Sequence, residues 1–157
     1  MTLDELFAAH YVPLVRLAVQ LVDDQDSAED VVQDVFAALD PARVDDPLRY
    51  LRSAVVNRSR SVLRRRRTVR AFAGRARRIE LVEPADAGTV RTDERVRVLG
   101  AIDALPRRQR EAVVLRYYED LAVTEIARVL ATTPSAVSSA LTRALDTLAI
   151  SLGGDDD

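Results

Sequence analysis

The chain has 157 residues, 48% of them hydrophobic but only 4% aromatic, and a net charge of −2. With no cysteine, disulfides, thiolate metal sites and cysteine nucleophiles are excluded; with no tryptophan, cores are expected from Leu, Val and Ala, which suits helices. No run approaches the roughly 18 apolar residues of a membrane span, and Met1 to Glu5 lacks the basic start of a signal peptide, so a soluble cytoplasmic chain without membrane insertion is expected.

Helical periodicity runs through most of the sequence. Thr2 and Glu5 have the spacing of a capping box, and Leu3, Phe7, Leu14, Leu17, Ala18 and Leu21 then mark one face of a first helix. Asp26 and Glu29 repeat that logic before a second helix, 26–39, whose apolar side is Val31, Val32, Val35, Phe36 and Leu39. Its other side carries Glu29, Asp30, Gln33 and Asp34. After a loop from Pro41 to Asp46, Asp46 and Pro47 read as an N-cap with proline at the first helical position. Leu48, Leu51, Val55 and Val62 form the buried stripe of this third helix, which extends to about 67.

Charge is sharply segregated around that helix. Arg49 to Arg78 holds twelve arginines and no carboxylate. The 48 residues before it carry two arginines against eleven carboxylates, and the 79 after it nine against fourteen. A stripe of guanidinium groups attracts phosphate and releases its counterions, so nucleic acid is the expected partner. The acidic flank must face water or a basic protein surface.

From Gly74 to Asp93 the apolar repeat stops and Gly74, Pro84 and Gly88 intervene, which reads as a linker able to span roughly 65 Å when extended. A second helical unit opens near Asp93 with Val96, Leu99, Ile102 and Leu105, and Pro106 starts a helix from Arg107 to about Tyr118. Two helices follow, Thr124 to Leu130 and Pro134 to about Leu152. Their short–break–long spacing is that of a helix-turn-helix, with Ile126, Ala127 and Leu130 packing the first and Val137, Leu141 and Ala144 the second. The expected architecture is all-α: a domain over 1–72, a linker over 73–93, a helix-turn-helix domain over 94–152 and an acidic tail over 153–157. No catalysis is expected. The single histidine, His10, has no nucleophile or second ligand near it in sequence, no glycine-rich phosphate loop is present, and neither a cofactor nor a metal is implied.

Four stretches together resemble the extracytoplasmic-function sigma factors, the minimal two-domain promoter-recognition subunits of bacterial RNA polymerase. Asp26 to Phe36 is similar to the family's acidic polymerase-docking helix, and Tyr50 to Asn57, running into Arg64–Arg67, to its promoter-melting helix. Ala104 to Tyr118 resembles the opening helix of its C-terminal domain, and Glu125 to Ala144 its helix-turn-helix. The resemblance implies that Glu29, Asp30, Gln33 and Asp34 bind core RNA polymerase. It implies that Tyr50, Arg52, Asn57, Arg60, Arg64, Arg65, Arg66 and Arg67 bind the −10 element of promoter DNA, Asn57 through a base and the arginine run through phosphates. Ser135, Ser138, Ser139, Thr142 and Arg143 would meet the −35 element. An anti-sigma factor covering both domains is a further implied partner.

The recognition helix departs from the family pattern. Ala131 and Ser135 stand where glycine is usual, Ser138 and Ala140 where basic residues are favoured, and Ala122 where a Ser or Thr cap is usual. Arg143 is the only basic residue from Pro134 onward. The electrostatic contribution of this helix is therefore small: it reads DNA weakly or serves as a protein-contact surface. An alternative of another class is accordingly a sigma-like adaptor that binds polymerase or a partner protein without full promoter recognition. A two-part DNA-binding regulator independent of polymerase requires the acidic helix to be incidental.

Overall fold

The computed structural model describes residues 1–66 and 92–153; Thr92, Asp93 and Gly153 are helical, while Arg67, the rest of the linker reading and the rest of the acidic tail lie outside the described residues. Those residues form seven α-helices and one 3-10 turn, with no strand among them. The chain divides into two compact units, Met1–Arg78 and Ile79–Asp157.

In the first unit, α1 (Leu3–Val22) packs against both α2 (Gln25–Ala38) and α3 (Pro47–Arg65). The Thr2–Glu5 capping box closes the start of α1 through reciprocal bonds, Glu5 N–H to Thr2 Oγ1 at 3.2 Å and Thr2 N–H to Glu5 Oε2 at 3.4 Å. The core is made from Leu6, Leu14, Leu17, Ala18 and Leu21 of α1 with Val31, Val32, Val35 and Phe36 of α2. Leu3 and Phe7, expected on the buried face, are instead 39% and 42% exposed, because Leu6 takes the core position of the first turns. Pro13 lies on the exposed side of α1, where the carbonyl left without an N–H partner can be reached by water. Arg16 interrupts the apolar residues of α1, so no unbroken run of 18 is present. The α1 window has a mean hydropathy of 1.3 and is long and apolar enough, by length and composition, to match a membrane span. Scattered His10, Tyr11, Arg16 and Gln20 do not lower that mean far enough, and half of the window is buried in the helical core.

α2 begins earlier than the Asp26 signal implied. Asp24 is the cap, accepting Ser27 N–H at 2.8 Å, and Asp26 lies in the first turn. α3 starts as expected, with Asp46 accepting Arg49 N–H at 3.2 Å ahead of Pro47. Its buried side is Leu51, Val55, Val56 and Ser59, while Leu48 and Val62 are half-buried. The four buried positions follow a 3.6-residue period, which turns every arginine of α3 toward its sides or away from the core.

In the second unit, α4 (Thr92–Asp103), α5 (Arg107–Tyr117) and α6 (Val123–Val129) all pack on α7 (Pro134–Gly153). Leu99, Ile102 and Leu105 are buried, as are Val113, Val114 and Leu115 in the buried mid-section of α5, and Ile126, Ala127, Val137, Leu141 and Ala144 form the core of the helix-turn-helix pair as expected. Thr133 Oγ1 accepts Ala136 N–H at 3.1 Å ahead of Pro134, so the recognition helix is capped.

The turn between α6 and α7 carries a cost that the sequence foreshadowed. Thr132 N–H bonds Ala127 C=O at 2.9 Å and Ala131 N–H bonds Arg128 C=O, a Schellman closure that places Ala131 at φ 54°. A Cβ in that left-handed region is strained by about 1–2 kcal/mol. Ala122, the N-cap of α6, offers no side-chain acceptor; only Glu125 Oε1 reaches back, to Ala122 N–H at 3.2 Å. We expect Ala131→Gly to stabilise the second unit by roughly 0.5 kcal/mol, the relieved strain exceeding the entropy that glycine adds to the unfolded chain. Ala122→Ser is expected to add about 1 kcal/mol. Urea midpoints of the single and double variants check both, and a lower midpoint for Ala131→Gly would contradict the strain argument.

Candidate nucleic-acid and protein interface

Two charged faces lie side by side in the first unit. On α2 the apolar side faces the core, which turns the opposite side to solvent: Asp30, Gln33 and Asp34 are exposed and Glu29 is partly so. Glu29 Oε1 accepts from Gln25 Nε2 at 3.1 Å, and Gln33 Nε2 donates to Tyr11 Oη at 3.3 Å. Beside this acidic strip lies an aromatic ledge of Phe7, which periodicity assigned to the core, and Tyr11. Phe7 stacks on Tyr11 with centroids 4.6 Å apart and meets Phe36 edge-on at 5.1 Å. Exposed Leu3 lies one turn before Phe7 on the same side of α1. The four expected polymerase-binding residues are thus brought together, and an apolar border is added to them. Only the exposure distinguishes Phe7 from a core residue, and no sequence pattern would have given it.

α3 presents the basic face. Tyr50, Ser53, Asn57, Ser61 and Arg64 recur at helical spacing along one side. A groove of about 740 Å³ runs between this side and α2, lined by Asp34, Val35 and Ala38 on one bank and Tyr50, Asn57 and Ser61 on the other. Tyr50 stands at its rim, 38% exposed, and also borders a smaller recess of about 400 Å³ with Arg43, Val44 and Asp46 of the preceding loop. Arg60 Nη1 donates to Asn57 Oδ1 at 3.1 Å, which leaves the Asn57 amino group directed to other acceptors. Arg64 Nη2 reaches Ser61 Oγ at 3.1 Å and Arg65 is exposed. Arg52 is half-buried on the flank of the helix.

Arg66 is placed differently from its neighbours. Its guanidinium bonds Asp24 Oδ2 and Ser27 Oγ, so it ties the end of α3 to the first turn of α2. Burial pushes the Asp24 carboxyl up, but the Ser27 N–H, the Arg66 guanidinium and the Ser27 hydroxyl outweigh it and hold the carboxyl below the usual carboxylate range. Arg58, absent from the expected DNA contacts, pairs with Asp34 across the groove at 2.9 Å.

On α7, Ser135, Ser138, Ser139, Thr142 and Arg143 are all exposed. Thr142 Oγ1 donates to Ser138 C=O at 3.0 Å, so its hydroxyl has only lone pairs left to offer outward. The face is small, almost neutral and rich in hydroxyls. Among the described residues no group of three or more His, Cys, Asp or Glu side chains is arranged to hold a metal ion.

Comparison with known proteins accounts for both units. The sigma-70 region 2 family matches residues 6–69, and the sigma-70 region 4 family matches residues 95–148. The RNA polymerase sigma factor SigV of Bacillus subtilis (strain 168) is 26% identical over 152 residues, 94% of this chain and 89% of that protein. The RNA polymerase sigma-E factor of Streptomyces coelicolor is 30% identical over 146 residues, 84% of this chain and 75% of that protein. Among solved structures, CnrH in complex with the cytosolic domain of CnrY is similar with a TM-score of 0.70 and 27% identity, over 98% of this chain and 89% of that one. The sigma factor RpoE of Bartonella quintana, solved with the anti-sigma factor NepR, shares the fold with a TM-score of 0.66 at 21% identity, over 97% and 96% of the two chains.

The lowered pKa of Asp24 has a defined sign. A carboxyl that ionises more readily when folded contributes stability above its unfolded value, near 3.8, and loses it as pH falls through the folded one. Chemical denaturation of the full chain is therefore expected to show a fall in first-unit stability below about pH 4. Arg66→Met is expected to flatten that fall and to weaken the unit at neutral pH. A variant with the wild-type pH profile would show that Arg66 does not act through Asp24.

Proposed function

This chain belongs to the RNA polymerase sigma factors of the two-domain extracytoplasmic-function type, and on that premise we propose how its residues divide the work. The family's activity is to bind core polymerase and direct promoter recognition and DNA melting. The acidic strip of α2, with Asp30, Gln33 and Asp34 at its centre and Glu29 at its edge, docks on a basic surface of the polymerase. The Phe7–Tyr11 ledge adds apolar contact at its border, where an aromatic side chain gains most from being covered. The single observation that supports this division is the pairing of an acidic outer face on α2 with a basic outer face on α3 over one shared core.

On the DNA side, Arg64, Arg65 and Arg67 neutralise phosphates along the −10 element, and Arg52 and Arg60 flank them. Tyr50 offers a ring at the groove rim on which an unstacked base can rest, and Asn57 offers an amino group to a base acceptor. Strand separation requires both, since melted bases must be caught as well as their backbones neutralised. Arg66 serves the fold first, by closing α3 onto α2, and meets DNA only at the cost of that clamp. In the second unit, Ser135, Ser138, Ser139, Thr142 and Arg143 meet the −35 element with hydroxyl contacts and one cation, so the upstream element contributes little affinity. Both units match regions of the sigma-70 family, which supports promoter recognition over the adaptor reading that the depleted recognition helix motivates. The chain acts as an initiation factor in the cytoplasm rather than as a catalyst. Likeness to structures solved with CnrY and with NepR supports an anti-sigma protein as its regulator.

Asp30→Arg together with Asp34→Arg is expected to abolish co-purification with core polymerase. Ala at 64, 65 and 67 together is expected to leave polymerase binding intact, lower run-off transcript yield by about tenfold or more, and reduce the salt slope of DNA binding by about 1 for each phosphate that is no longer neutralised. Run-off transcription with purified core polymerase on a promoter library checks both. Transcripts that align on a −10 motif with only a weak upstream motif are the expected outcome; co-purification without any promoter firing would restore the adaptor alternative.

A further inference from the structure

Asp34 and Arg58 face each other across the groove between the two functional helices. Asp34 Oδ2 and Arg58 Nη2 are 2.9 Å apart, and the side chains remain 56% and 46% exposed. Asp34 belongs to the strip assigned to polymerase. Arg58 follows Asn57 directly and shares a side of α3 with Arg65, seven residues on, so it stands at the margin of the DNA face. Both residues line the same groove as Tyr50 and Asn57.

We infer that Arg58 is a further DNA-contacting residue, held by Asp34 in the free chain and handed to a DNA phosphate when a cationic group of the polymerase occupies Asp34. This rests on the docking role proposed for Asp34. The exposure of the pair is what makes the hand-over feasible. A buried ion pair would leave an uncompensated charge when broken, whereas a solvent-screened pair is weak and either partner can be re-satisfied by water or by a new counter-charge. In the free chain Asp34 also places a carboxylate where a phosphate would approach, so the pair both withholds a cation and repels the ligand. Docking removes both obstacles in one step. Because the coupling is between two binding events it is reciprocal: a phosphate on Arg58 leaves Asp34 more available to polymerase. Its size is bounded by the strength of an exposed pair, about two- to fivefold in affinity.

The test is fluorescence anisotropy of a labelled single-stranded DNA of mixed sequence, titrated with the full chain alone over a range of salt. Asp34→Asn, Asp30→Asn, Arg58→Gln and the Asp34→Asn/Arg58→Gln double variant are compared. Asp30→Asn removes the same charge one turn away without touching the pair. Asp34→Asn is expected to tighten binding about two- to fivefold more than Asp30→Asn and to steepen the salt slope by about 0.7, the value for one added phosphate contact on a single strand. That excess should vanish in the Arg58→Gln background. An equal gain from the two Asp variants, or a gain that survives Arg58→Gln undiminished, overturns the inference. Co-purification of the same variants with core polymerase separates it from the docking proposal. An Asp34→Asn chain that keeps full polymerase binding overturns both, whereas weakened docking without any gain in DNA binding overturns the hand-over alone.

Discussion

The packing of α2 on α3 is the constraint from which the first unit follows. Each helix can bury only one stripe, and both stripes enter the same core beside α1. Val31, Val32, Val35 and Phe36 fix the rotation of α2; Leu51, Val55, Val56 and Ser59 fix that of α3. Once those are set, neither charged face has freedom to move. Asp34 of α2 and Arg58 of α3 end up on the two banks of one groove, close enough to pair. A protein that must grip an enzyme and a nucleic acid at once therefore needs no hinge within this unit. It needs two helices whose apolar stripes are correctly placed relative to their charges.

Much of this was legible in the sequence because it depends on local chemistry. The Thr2–Glu5 box, the Asp46–Pro47 start and most of the 3.6-residue stripes require no knowledge of the partner helices, and the structure has them. Failures arose where tertiary neighbours decide. Phe7 and Leu3 have the spacing of core residues, yet Leu6 occupies the core and leaves them outside. Asp24 and Asp26 both have the chemistry of a cap, and only the path of the chain out of α1, with Asp23 at φ 75°, selects the first. A count of arginines predicts phosphate contacts but cannot show that Arg66 is committed to Asp24 or that Arg58 is committed to Asp34. Those pairs span 42 and 24 residues, beyond the reach of any periodicity argument.

In the second unit, packing and recognition are carried by different residues. Buried positions of α4 to α7 are filled to the standard of any helical core, and the turn keeps its Schellman bonds with alanine where glycine would be free of strain. The exposed side of α7 over 135–143 instead carries small hydroxyl residues and a single charge, Arg143. Packing and recognition reside on opposite faces of the same helix, so one can erode while the other is maintained. On the proposed division of roles, the energetic weight of DNA binding falls on the arginines of α3, since contacts to backbone phosphates depend less on base sequence.

Asp24 carries a consequence beyond its charge. The same carboxylate caps the first turn of α2 and receives the guanidinium that ends α3. The beginning of one helix and the end of the other are thus tied through one side chain, and amide protons in those two turns would exchange with solvent at matched rates although the chain separates them by some forty residues. Terminal turns normally fray one by one. Here the last turn of α3 is as firmly held as the capped start of the helix it rests on, so the chain leaves this bundle from a fixed point.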